Sequence, residues 1–204
     1  MMSFQICLNQ VSAEEVKTLI NIAVSIEYLF DNTASSIGPL LQRVLGKISK
    51  FYGPAITTDK MVACKQVLIE LLTNGIKHSG CDSSRISLFL STLFISITKT
   101  DTGCSFTPPA LSEAVKVNDS MVICQTDYER LIAVRKSPQC IHFELIENSC
   151  TEPDPATLLM DHYGFLIISR AARSFIYQHD IKWGINTFAV KIDLYDNVVL
   201  PSSC

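Results

Sequence analysis

Between Lys65 and Gly80, the apolar residues Leu68, Leu71, Leu72 and Ile76 recur at helical spacing. Glu70, Asn74 and Lys77 fall on the opposite side, because positions three and four apart stack along a helix. The spacing predicts a helix over about Asp59 to His78, capped by Thr57 or Thr58 and ended by Ser79-Gly80-Cys81-Asp82. The plain account of its polar side is a solvated face. A carboxylate, an amide and an amine in line would also serve as a base, a metal ligand and a phosphate contact.

The same patterns order the rest of the chain. Ser3 to Leu8 suits a short first strand, and Ser12 opens a run to about Phe30 that is read as a helix apolar on more than one face. Such a helix belongs in a core or a subunit contact, so a homodimer is worth testing. Asp31 to Ser36 is turn chemistry, and a helix over about Pro39 to Tyr52 follows, stopped by Gly53-Pro54. Two β-rich runs, Arg85 to Leu90 and Leu93 to Thr98, form one expected hairpin. Arg130 to Lys136 and Cys140 to Ile146 form another, turned at Ser137-Pro138-Gln139. A short helix is expected at Glu113 to Val117, and Asn148 to Thr157 reads as a loop. A last helix is expected from about Gly164 to Tyr177, then strands at Ile181 to Trp183 and Asn186 to Leu194. This order favours helices packed on one face of a largely antiparallel sheet.

Composition narrows the function classes. Of 204 residues 48% are hydrophobic and 18% charged, with a mean hydropathy of +0.26, which affords a sizeable core. A net charge of -3, with Lys and Arg scattered, gives no electrostatic reason to expect nucleic acid or an anionic membrane. The first residues lack a basic segment followed by an apolar run, and Val16 to Phe30 is too short and polar to span a bilayer. The 8 cysteines are dispersed without a Cys-x-x-Cys pair, so reduced thiols in a cytoplasmic protein are the expectation.

Four stretches together resemble the histidine-kinase-like ATPase superfamily, and within it the anti-sigma-factor serine kinases. Glu70-Leu71-Leu72-Thr73-Asn74-Gly75-Ile76-Lys77-His78 resembles the N-box, a Glu and an Asn four apart on a helix. Asp101-Thr102-Gly103-Cys104-Ser105-Phe106 resembles the G1 box. His162-Tyr163-Gly164-Phe165-Leu166-Ile167-Ile168 resembles a worn G2 box opening a helix, and Gly184-Ile185-Asn186-Thr187-Phe188 the terminal Gly-Thr-x-Phe region. The resemblance implies an α+β, two-layer α/β sandwich with a mostly antiparallel mixed sheet and helices on one face, the Bergerat ATP-binding fold. Residues 58–196 would form that domain, with an insertion at about 107–160. An N-terminal strand and helical extension would occupy 1–57, and a tail 197–204.

The resemblance also implies a site. Glu70 would be the catalytic base, and Asn74 would hold Mg2+ through its amide oxygen. Asp101 would accept a hydrogen bond from adenine, and Gly103 would let the backbone approach the ring. Gly164 would open a helix whose N–H groups hold phosphate, with Lys77 as a phosphate contact and Thr187 as a hydroxyl near the adenine. The implied ligands are ATP or ADP, with a regulatory protein as partner and a serine/threonine kinase activity. The plain alternatives are a solvated lysine at 77, an ordinary turn at 101–103 and a strand threonine at 187.

The departures are as informative. Ser105 stands at the second G1 glycine and His162 at the first G2 glycine, and no glycine lies between Gly103 and Gly164. A phosphate-cradling loop needs inward backbone N–H groups, which is harder without glycine. A non-catalytic module that binds a nucleotide or a protein partner is therefore the alternative to the kinase.

Overall fold

The computed structural model describes residues 23–106, 116–147 and 163–195. Strand β1, Ala23–Phe30, leads to helix α1, Ala34–Tyr52, a short 3-10 turn at Gly53–Ala55, and helix α2, Thr58–His78. Strands β2, Ser84–Ser91, and β3, Phe94–Asp101, follow as a hairpin. Then come β4, Ser120–Gln125, β5, Glu129–Ser137, and β6, Cys140–Glu147. Helix α3, Tyr163–Ala171, precedes β7, Ser174–Asp180, and β8, Ile185–Asp193. All eight strands join one sheet in the order β1-β2-β3-β8-β7-β6-β5-β4, and every pairing is antiparallel.

Local chemistry explains the central elements. The Thr57 hydroxyl accepts from the Lys60 amide at 3.3 Å and so caps α2, while Asp59 in the first turn and Lys77 and His78 in the last complement its dipole. Strict alternation sets β3, whose Ile95, Ile97, Lys99 and Asp101 are buried while the residues between them are half-buried. One core gathers Phe30 of β1, Leu40, Val44 and Ile48 of α1, Val67, Leu68, Leu71 and Leu72 of α2, and Phe165 and Leu166 of α3 against the sheet. Residues 23–52 thus share the sheet and core with everything that follows.

The architecture departs from the expected one. A single eight-stranded, wholly antiparallel sheet dominates, accompanied by three α-helices among the described residues. It is not the expected two-layer α/β sandwich with a mixed sheet and helices on one face. The N-terminal helical extension is also corrected, because Ala23–Phe30 is a strand paired along its whole length with β2. Val24, Ile26, Tyr28 and Phe30 alternate with period two, and a partner edge rewards that period over a helical one. Three strands between 120 and 147 widen the sheet, of which β5 and β6 were expected and β4 was not.

Two further boundaries shift. The helix expected to run from Gly164 to Tyr177 stops at Ala171, and Phe175 and Tyr177 instead point into the core from β7. The strand expected at Ile181 to Trp183 is the β7–β8 turn, held by the Asp180 carboxylate accepting from the Lys182 and Trp183 amides and by Gly184 at φ +61°. Ser3 to Leu8, the first part of the expected helix from Ser12, Glu113 to Val115 of the expected short helix and the loop at Asn148 to Thr157 lie outside the described residues, and Lys116 and Val117, the end of that short helix, are not helical.

Candidate functional site

Glu70, Asn74, Asp101, Gly103 and Gly164 gather around the C-terminal half of α2, in two groups. In the first, Glu70 and Asn74 are half-buried and face the start of α3. A Cβ at Gly164 would collide with a Glu70 carboxylate oxygen and lie 3.7 Å from the Asn74 amide nitrogen. Glycine is what lets α3 approach this closely, and the carboxylate then sits at a helix N-terminus, where the dipole favours negative charge. Burial nevertheless pushes the Glu70 carboxyl above its ordinary range, an effect that the Lys77 ammonium partly opposes. Lys77 itself is exposed.

The second group is built by β3, β7 and β8. Asp101 stands directly opposite Asn186, and Lys99 opposite Phe188, so Lys99, Asp101 and Asn186 share the buried face. The Lys99 ammonium forms an ion pair with Asp101 Oδ2, and both side chains are 3% exposed. The other oxygen, Oδ1, accepts from the Gly103 amide at 3.1 Å and from Asn186 Nδ2 at 3.0 Å. Asn186 Nδ2 also lies 3.0 Å from the Gly103 carbonyl and 3.1 Å from that of Cys104. Asn186 Oδ1 faces the Tyr177 hydroxyl at 2.8 Å and His179 Nδ1 at 2.9 Å. The Tyr177 hydroxyl in turn accepts from the Phe106 amide, and burial pushes it up to about 12. Each oxygen of Asp101 thus has an internal donor, as a buried carboxylate requires.

Two close approaches tie this network to α2. The Lys99 side chain passes over Gly75, where an added Cβ would lie 2.7 Å from Lys99 Cε. Gly103 lies so tightly on the Ser79 carbonyl that no side chain fits there, and the Cys104 amide donates to that carbonyl at 2.8 Å. Asn32, after β1, donates to the Ser79 hydroxyl and the Cys81 carbonyl and accepts from Ser84, closing the helix end against β2.

The structure therefore brings Glu70, Asn74 and Gly164 together, and Asp101 and Gly103 together. It does not bring in Thr187. Side chains alternate along β8, and Thr187 pairs with Thr100, so it lies on the face opposite Asp101 and Asn186. His162, the start of the expected G2 box, lies outside the described residues. Lys99 and Asn186 are the residues that sequence reasoning missed. Their signal was present: Ile95, Ile97, Lys99 and Asp101 form one alternating face, as do Asn186, Phe188, Val190 and Ile192.

Comparison of the sequence with protein-family models and with curated protein sequences gives no match. Among the described residues, no helix is long and apolar enough to cross a membrane.

Proposed function

We propose that the chain is a non-catalytic module that acts through protein contacts, and that its polar cluster fastens the central strands β3 and β8 to the C-terminal end of α2. One observation carries this reading: the Asp101 carboxylate is committed to Lys99, Gly103 and Asn186. Adenine recognition asks that carboxylate for a free acceptor, and a buried lysine has taken the place beside it. The residues present do not fit the adenine of ATP. Support for a protein partner comes from the β7–β8 turn, where Ile181 is 66% and Trp183 65% exposed on a turn pinned by the Asp180 carboxylate. An exposed tryptophan held in a fixed turn loses little freedom on docking and is the residue type that dominates interface energies. Calorimetry with ATP and ADP, with and without Mg2+, tests the reading. It predicts no saturable heat, and Mg2+-dependent binding would overturn it.

A second reading keeps the resemblance to histidine-kinase-like ATPases and is favoured by the meeting of Glu70, Asn74 and the α3 N-terminus. On that reading Asn74 holds Mg2+, Glu70 is the base, Lys77 reaches phosphate and the chain is a serine/threonine kinase with a regulatory protein partner. It requires nucleotide binding that weakens in Asn74→Ala and turnover that disappears in Glu70→Ala.

A further inference from the structure

Strand β1 is one edge of the sheet and pairs on one side only, its eight residues in unbroken antiparallel register with β2. Successive residues of a strand turn their N–H and C=O groups to opposite sides, so half of those on β1 face away from β2. Edges of this kind are ordinarily blunted by proline, lysine or a bulge. The other edge, β4, has such a device, since its pairing with β5 shifts register between Val122 and Cys124. Ala23–Phe30 holds no proline, lysine or bulge. Its one charge, Glu27, is turned toward β2 by Arg85 at 3.3 Å and Ser87 at 3.4 Å. Apolar side chains line both faces of this edge, with Val24 37% exposed toward the helix layer and Leu29 74% exposed on the outer face.

Helix α1 packs over β1 and β2, and its Arg43 guanidinium lies 5.1 Å from the centre of the Tyr28 ring. Tyr28 belongs to β1, so this flank of the helix overlooks the open edge. Lys47 and Lys50 follow Arg43 four and seven residues later on the same flank, and all three are exposed. Helix α1 contains no Asp or Glu, so in a chain of net charge -3 this stripe is a local reversal of sign. We propose that β1 takes an extended, acidic segment of a partner protein as an added strand. Its carboxylates face Arg43, Lys47 and Lys50, and its apolar residues lie beside Leu29. Main-chain hydrogen bonds supply the affinity of such an addition, and alternate side chains supply its specificity. A second copy of the chain fits less well, because pairing β1 with itself sets two stripes of like charge against each other. The chain's own Ser3 to Leu8 carries no acid to meet the stripe. This surface is separate from the β7–β8 turn, since β2 and β3 lie between β1 and β8.

Fluorescence polarisation of the full chain with labelled peptides tests this. The probe is a short peptide in which glutamate alternates with valine; one control has lysine in place of every glutamate, and another has proline at its centre. Saturable binding of the glutamate peptide alone is expected, weakening about tenfold in Arg43→Glu/Lys47→Glu and declining as added salt screens the charges. Amide hydrogen exchange across Ala23–Phe30 is expected to slow when that peptide is bound. If the double variant fails to fold, the three peptides on the wild-type chain still decide. Equal binding of the glutamate and lysine peptides, binding without slowed exchange in β1, or no saturable binding at millimolar peptide overturns the proposal. A dimer in light scattering that disappears in Val24→Lys also overturns it, by giving the edge to a second copy. Tighter binding to phosphatidylserine vesicles than to the peptide does so too, by making the stripe a membrane patch. Trp183→Ala leaves the peptide affinity unchanged and no nucleotide is involved, so failure here is separable from failure of the proposed function.

Discussion

Replacing Lys99 by Met removes one partner of a pair whose side chains are each 3% exposed. The methionine fills similar space, so the loss is electrostatic rather than a cavity. What remains is a buried Asp101 that keeps the Gly103 amide and the Asn186 amide but has lost its counter-charge. Breaking a buried pair from one side costs about 3–5 kcal/mol, and the two surviving donors place this case near the lower figure. In a chain of this size about 3 kcal/mol lowers Tm by roughly 6–12 °C. The double variant Lys99→Met/Asp101→Leu leaves no orphaned charge and is expected to recover most of that loss, because an apolar pair of similar volume replaces a buried ion pair at little cost. Urea unfolding followed by circular dichroism, on both single variants and the double, measures the coupling directly. If Lys99→Met loses less than about 1 kcal/mol, the pair is not buried and coupled as described, and the reasoning about Asp101 fails.

Three further outcomes are expected. Gly103→Ala should destabilise by at least about 2 kcal/mol in urea unfolding, because the added methyl meets a backbone carbonyl at Ser79 that cannot move aside; a neutral result would contradict the close approach. Burial holds the Glu70 carboxyl above its unfolded value, so its ionisation costs the folded state stability as pH rises from the ordinary glutamate range through the raised folded value. Glu70→Gln should therefore have a higher Tm than wild type at neutral pH, with the gap closing in acid; a gap that persists in acid would refute this cause. In native-state alkylation mapped by peptide, exposed Cys104 should react quickly, while Cys64, whose thiol burial pushes up to about 12, should react only on unfolding.

The parts of the fold that were legible are those in which one period dominates and a cap or turn marks the end. Helix α2 is the clearest case, with its apolar stripe and Thr57 at its start. The hairpins β2–β3 and β5–β6 were visible for the same reason, each set by alternation and a short turn. The failures occurred where two periods overlap. Leu166, Ile167, Ala171 and Phe175 fit a helix by spacing, yet the chain turns at Ala172-Arg173 and Phe175 belongs to a strand. Residues Ala23–Phe30 lie in a long apolar run, and only the partner edge of β2 selects the strand period. In the site, Glu70, Asn74, Asp101 and Gly103 drew notice as motif members, whereas Lys99 did not because a lysine in a strand is ordinarily taken for an exposed one. Its burial follows from its place two residues before Asp101 on the inward face.

On the proposed reading, Asp101 is satisfied within the protein and does not serve a nucleotide. Titration of the full chain with ATP and with ADP in the presence of Mg2+, followed by calorimetry, tests it most directly. Heats of dilution only are expected, in wild type and in Asn74→Ala alike. Saturable, Mg2+-dependent binding in wild type that is lost in Asn74→Ala would contradict it.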